Sequence, residues 1–287
     1  CTLFGSNVVA IKITFWGLGV FTTAGMRFSL AALAIYLWAR CTGQSFSLRK
    51  GQLSQVLTFS LLFTAQLSLF YLGLSKTNAS RGTLLGNLLP FFILVLAHYF
   101  IPGDRITLRK LGGMLLGFSG VIFVFLEKKG ITTAFHVGDT MILVATFIWA
   151  CNTVYLKRII DTFCPFHIVL YSMLFSSPIF FVEAALWDHP MVAHVDLNVM
   201  GSLLYQSFVT ASFGFVAWNT MLQKYGAVSL HSFVFIMPIA GVLLGGLVLD
   251  EPITFKILLA LALIVAGILV VHWKPKKAAV YPLRRGI

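Results

Sequence analysis

A chain of 287 residues that is 59% hydrophobic and 10% charged cannot be a soluble domain, because no core of this size hides so much apolar surface. The net charge of +12 does not point to nucleic acid: the basic residues sit at the ends of apolar runs and form no long solvated patch. Lipid is the expected solvent, and at about 20 residues per crossing the chain has room for ten helices.

In chain order, the apolar runs predict helices over 1–16, 20–41, 53–73, 79–101, 107–127, 138–158, 164–187, 197–222, 226–249 and 254–273. Gly, Pro and charged clusters separate them: Gly43 to Gly51, Pro102-Gly103-Asp104, Lys128-Lys129-Gly130, Asp188-His189-Pro190 and Asp250-Glu251-Pro252. The first run is short for a crossing. Moving the start of the sixth helix, Gly138, back by 145 lands at −7, so the first helix is expected to be truncated at its N-terminus.

That offset comes from an internal repeat. Gly5-Ser6-Asn7-Val8-Val9-Ala10-Ile11-Lys12 aligns with Ala150-Cys151-Asn152-Thr153-Val154-Tyr155-Leu156-Lys157 at 145, placing Asn7 over Asn152 and Lys12 over Lys157. Pro90 aligns with Pro238 at 148, and Asp104-Arg105-Ile106-Thr107 with Glu251-Pro252-Ile253-Thr254 at 147. The expected organisation is a first five-helix repeat over 1–130, a second over 131–273, and a basic cytoplasmic tail over 274–287. Five is odd, so the second repeat enters the bilayer upside down. With the N-terminus inside, fourteen Lys and Arg fall on the cytoplasmic side, among them Arg40, Arg49, Lys157 and Arg158, against six on the other. Both termini are therefore expected in the cytoplasm.

Polar side chains are costly in hydrocarbon, so those inside spans carry the functional signal. Phe59, Phe63, Gln66 and Phe70 form one stripe on the third helix. Adding 148 gives Ser207, Ala211, Gly214 and Trp218 on the eighth, with Thr210 beside them. A chamber walled in this way suits a small, partly apolar solute; the alternative is that these aromatics pack or face lipid. Asn7 and Asn152 are equivalent mid-helix amides that need partners, with Trp149 close by. The fourth helix carries Asn87, Pro90 and His98, and the ninth His231 and Pro238; the matched prolines, each removing a backbone hydrogen bond, are candidate hinges. The candidate solute-binding set is thus Asn7, Gln66, Asn87, Trp149, Asn152, Trp218 and His231.

Other signals point away from chemistry. Gly82/Gly86, Gly113/Gly117 and Gly241/Gly245 read as small-residue packing within each repeat or between protomers. Gly117-Phe118-Ser119-Gly120 spells GxSG, but its counterpart has Ala266 for the Ser and no His is placed beside it. Cys1, Cys41, Cys151 and Cys164 have no metal-ligand or disulfide spacing, so no metal and no cofactor are implied. All nine carboxylates fall at or near span boundaries, which leaves His98 and His231 as the proton carriers of suitable pKa within spans.

Gly5-Ser6-Asn7-Val8-Val9-Ala10-Ile11-Lys12, Arg27 in the second helix and the closing Asp250-Glu251-Pro252-Ile253 resemble the drug/metabolite transporter superfamily, specifically its EamA-type ten-helix members. One departure is Phe4, where many relatives carry Trp. The resemblance implies a ten-helix basket in the plasma membrane, the inner membrane of a bacterium, and export of amino acids, other metabolites or toxic compounds. It implies that the first, third, fourth, sixth, eighth and ninth helices wall a central cavity.

The function expected is a secondary transporter working by alternating access, its partners a small-molecule substrate and the lipid bilayer. A facilitative, channel-like uniporter is the alternative, though a channel calls for a continuous polar lining. A membrane-embedded enzyme would need paired acids, a metal cluster or a nucleophile with its base at membrane depth, and none is visible.

Overall fold

A computed structural model describes residues 1–43, 47–49, 51–100, 107–125, 137–221, 224 and 236–272. The chain runs through α1 (Thr2–Thr14), α2 (Val20–Cys41), α3 (Gln52–Ser75), α4 (Ala79–Gly86), α5 (Leu89–Phe100), α6 (Leu108–Phe125), α7 (Val137–Ile159), a 3-10 turn at Ile160–Thr162, α8 (Pro165–Trp187) and α9 (Leu197–Leu204). A π-helical segment, Tyr205–Gly214, then leads into α10 over 215–221, followed by α11 (Ile236–Leu249) and α12 (Phe255–His272). His231 and the tail over 274–287 lie outside the described residues.

Among the described residues, six helices are long and apolar enough to cross a membrane: Val20–Cys41, Gln52–Ser75, Ala79–Phe100, Val137–Ile159, Phe166–Trp187 and Leu197–Met221. Thr2–Thr14, Ile236–Leu249 and Phe255–Val271 are shorter apolar helices. Large apolar side chains such as Leu33, Leu37, Leu61, Leu247 and Phe255 are exposed, as helices solvated by lipid require.

The fourth span departs from the single helix expected over 79–101. It breaks at Asn87 and Leu88, just before Pro90, which has no N–H to give to the carbonyl four residues back, that of Gly86 at the end of α4. Asn87 closes α4 by donating its side-chain amide to the Thr83 carbonyl at 2.7 Å.

Several helix pairs among the described residues run antiparallel, and three of them show how the bundle is seated. In α3 and α7, Gln52 Nε2 donates to the Thr162 carbonyl at one end, while Gly73 and Gly138 meet at the other, where a Cβ on either would lie 2.6–2.8 Å from the partner's carbonyl oxygen. In α2 and α8, Thr22 bonds Asp188 at one end and the Trp38 and Phe166 rings meet at 5.1 Å at the other. In α6 and α12, Gly113 faces Gly267 while Gly120 faces Ala260 and Ile264. α1 packs on α11, where a Cβ on Gly5 would sit 2.7 Å from the Met237 carbonyl oxygen. The expectation that the glycine pairs pack within a repeat holds for Gly82 and Gly86, which face Leu74 and Phe70 of α3, and for the Phe91 side of Gly117. It is corrected for the others: Gly113 lies against Gly267 and Val271 of α12, and Gly241 and Gly245 against Thr83 and Ser80 of α4. These last contacts join the first part of the chain to the second. Close backbone approach supplies most of the packing attraction between helices in lipid, and two parts of one chain need it as much as two protomers do.

Candidate functional site

One end of the bundle is clamped by polar contacts between early and late helices. The N-terminus of α2 has no local side-chain cap; instead Asp188, just past α8, accepts from Thr22 N at 2.6 Å and from its hydroxyl at 2.9 Å. α4 is likewise capped from afar, by Glu251 accepting from Ala79 N at 2.6 Å, Ser80 N at 2.9 Å and the Ser80 hydroxyl at 2.6 Å. Carboxylates suit these places because the free N–H groups of a first turn carry partial positive charge. Buried Asp139 takes Arg81 as an ion pair and a 2.6 Å hydrogen bond from Thr77. The turn after α1 is tied down too: Gly19 N donates to the Met191 carbonyl and Ala193 N to the Gly17 carbonyl, both at 2.9 Å.

Below this clamp, buried polar side chains meet in two clusters. In the first, Asn152 Nδ2 on α7 donates to Gln66 Oε1 on α3 at 3.4 Å, both residues at most 4% exposed. The Asn152 carbonyl oxygen is buried with no hydrogen-bond partner. In the second, the Thr210 hydroxyl lies 2.8 Å from Asn7 Oδ1 and 2.7 Å from the Gln206 carbonyl, and it accepts from Arg27 Nη2 at 3.3 Å. Arg27 Nη1 donates to the Tyr71 hydroxyl at 2.8 Å, and Gln206 Nε2 donates to the Thr14 hydroxyl at 2.6 Å. Arg27 Nε and Gln206 Oε1 are buried without partners.

The second cluster depends on the π-helical stretch. Its wider turns break the 3.6-residue register assumed for the Ser207, Ala211, Gly214 and Trp218 stripe: the Ser212 hydroxyl bonds the Ser207 carbonyl five residues back, and Thr210 is carried inward to Asn7 and Arg27. Such turns recur where a helix serves a ligand. Ser207, Ala211 and Gly214 are buried, and Trp218 is half-buried with its ring edge-on to Phe4 at 5.9 Å. On α3, Phe59, Phe63, Gln66 and Phe70 are all buried, as one stripe.

Of the sequence-predicted residues, Gln66 and Asn152 therefore meet each other, and Asn7 joins the Arg27 cluster. Asn87 caps its own helix, and Trp149, one turn before Asn152, is 38% exposed. Pro90 and Pro238 are both buried, near the starts of α5 and α11. His98 is exposed near the end of α5. Arg27 joins the site although the candidate set drawn from the sequence does not include it. Its signal was visible: a lone cation in an apolar run, seven residues inside a span. Apolar cavities open toward the unclamped end, among them one of about 460 Å³ lined by residues including Trp38, Phe166 and Thr220 and another of about 200 Å³ lined by residues including Phe100, Tyr155 and Arg158. None of the predicted residues lines either.

The sequence profile of the EamA-like transporter family matches residues 1–126 and 136–273. Among curated relatives, the chain is 27% identical to "Uncharacterized transporter YetK" of Bacillus subtilis, over 98% of this chain and 86% of that protein. It is also 27% identical to a "Probable amino-acid metabolite efflux pump" of Escherichia coli, over 93% and 90%. A solved crystal structure shares the fold, with a TM-score of 0.73 at 18% identity and coverage of 94% and 93%. Apolar helices that span lipid, polar groups gathered where early and late helices meet, and a profile matching nearly the whole length give one conclusion: the chain is a membrane protein of the EamA-like transporter family.

Proposed function

We propose that the protein is a secondary carrier that exports small organic metabolites, amino acids foremost, by alternating access between two inverted five-helix halves. The observation that carries this is the pair Asn7 and Asn152. They are equivalent under the sequence repeat, and each shares a hydrogen bond with a helix of the other half, Asn7 with Thr210 and Asn152 with Gln66. Amides at that depth are tolerated only where they are partnered or meet a ligand.

Further support comes from the packing. α2 and α8, equivalent under the repeat, run antiparallel, as do α6 and α12, which is the relation an inverted duplication requires. The contacts of Asp188, Asp139 and Glu251 all cross between the halves at a single end, whereas the cavities beside Trp38 and beside Phe100 lie toward the other. A carrier closed on one side has this asymmetry. By the distribution of Lys and Arg the clamped end faces outward, with both termini cytoplasmic and the protein in the plasma membrane. The break ahead of Pro90 serves as one hinge, and its counterpart under the repeat, Pro238, marks the place of the other. The solute chamber uses Asn7, Gln66, Asn152 and Trp218, and the name of the Escherichia coli relative motivates the substrate class.

Purified protein in liposomes should show saturable counterflow: preloaded unlabelled amino acid accelerates uptake of the labelled one. A flux that does not saturate and shows no acceleration indicates a channel and overturns the carrier.

A further inference from the structure

We propose that Arg27 is an anion subsite, a fixed cation that receives the carboxylate of a solute whose body is apolar and the size of an aromatic ring. This deepens the carrier function above and rests on it. A guanidinium keeps its charge under all physiological conditions. Arg27 is nevertheless 2% exposed, in the interior of a helix that crosses lipid. Burying such a charge is tolerated when a counter-ion and a full set of hydrogen bonds repay its lost hydration. Arg27 has neither. Its donors reach two neutral hydroxyls, Tyr71 at 2.8 Å and Thr210 at 3.3 Å, its plane lies 4.9 Å from the centre of the Phe28 ring, and Nε has no partner. No carboxylate among the described residues pairs with it.

Arg81 provides the internal contrast. It is the other buried arginine among the described residues, it helps lock the clamped end, and Asp139 neutralises it directly. Where the protein uses a buried arginine as a strut, it supplies an acid. At Arg27 the acid is missing, and the place of the missing charge is where α1, α2, α3 and the π-helical segment converge. A planar fork with a free donor suits a carboxylate, which accepts two parallel N–H groups.

The neighbouring rings indicate the rest of the solute. From Phe28 a continuous series of aromatic contacts leads away from the guanidinium: Phe28 to Phe63 at 5.4 Å, Phe63 to Phe215 at 6.4 Å, Phe215 to Phe4 at 5.7 Å and Phe4 to Trp218 at 5.9 Å. One end binds charge and the other offers ring faces and edges. Aromatic carboxylates, including aromatic amino acids, have that polarity. The subsite is sealed in this conformation, and solute reaches it when the helices around it part.

The test uses 3-phenylpropionate and phenylalanine, each against its primary amide, on the full-length chain. Thermal stabilisation in detergent reads binding, and counterflow in liposomes reads transport. Wild-type protein should favour each acid over its amide by at least about tenfold in both, since the amide cannot supply the charge. Arg27→Gln should remove that preference by weakening the acid and leaving the amide unchanged, and Arg27→Lys should restore part of it. A strut would lose acid and amide together in Arg27→Gln, and that result overturns the subsite. So does a wild-type protein that binds neither acid, or binds acid and amide alike, whatever the variants do. Acid-selective stabilisation without counterflow leaves the subsite standing and removes the carrier; counterflow without acid preference does the reverse.

Discussion

Asn152 donates its side-chain amide to the Gln66 carbonyl at 3.4 Å, and this contact ties α7 to α3 inside a span. The distance is at the long end for a hydrogen bond. Interhelical bonds in membranes average about 0.6 kcal/mol by double-mutant cycle, so this one is a minor strut. Asn152→Ala and Gln66→Ala should insert and fold, with a melting temperature in detergent close to wild type. Their counterflow KM should nonetheless rise several-fold, because the freed amide no longer presents its partner to solute. Wild-type KM in both variants would remove the pair from the site.

The clamped end should yield to loss of one charge. Asp188→Asn keeps the size of the side chain but weakens charge-assisted bonds to Thr22, worth roughly 1–2 kcal/mol and hence a several-fold shift between closed and open states. In a chain whose other cysteines are replaced, Ser207→Cys reports the change. It is fully buried here and should label slowly with a membrane-impermeant maleimide, then faster once Asp188→Asn is added. An unchanged rate would show that the clamp does not gate.

Adjacent glycines on α6 should respond in opposite senses. A Cβ on Gly113 would lie 2.8 Å from the Gly267 carbonyl oxygen, whereas one on Gly112 meets nothing within 4 Å. Gly113→Ala should cost about 1–3 kcal/mol by forcing α6 and α12 apart. Gly112→Ala should be neutral, or stabilise by up to about 1 kcal/mol through helix propensity. Thermal unfolding in detergent compares the two, and equal effects would contradict the close crossing.

Removing the ion pair should be costlier than removing any hydroxyl. Asp139→Asn leaves Arg81 buried without its charge partner and should destabilise by about 3 kcal/mol. Pairing it with Arg81→Leu should recover much of that loss in the same assay. An additive double mutant would mean that the two residues act independently.

Pro90→Ala tests the hinge. It restores an N–H just after the break at Asn87 and Leu88, so α4 and α5 should join more smoothly. The expected outcome is normal insertion with slower turnover at saturating solute. An unchanged kcat would assign the break to packing.

Much of this was legible in the chain because the relevant signals are local. Val20–Cys41, Gln52–Ser75 and Val137–Ile159 fall almost where their apolar runs predict, since a span needs only enough consecutive apolar residues. Gln66, Asn7 and Asn152 stood out because an amide in such a run is conspicuous. Pro90 marks the fourth span in the sequence, but the apolar run over 79–101 reads as one helix and does not show the separation of α4 from α5. No run of residues announces the π-helical stretch, and without it the partners of Thr210 cannot be placed.

By itself the sequence determined that the protein lives in lipid, where spans such as Val20–Cys41 and Gln52–Ser75 run, and which side chains are too polar for their surroundings. Hydropathy acts residue by residue along one helix, and a strand of text carries it completely. The tertiary structure decided which of those polar groups meet: Asn7 and Thr210 are 203 positions apart, and Arg27 and Thr210 are 183. It also separated Arg81, which has an acid beside it, from Arg27, which has none. Their neighbours come from helices distant in the chain, and in lipid the close backbone approach that seats those helices depends on the whole packed bundle.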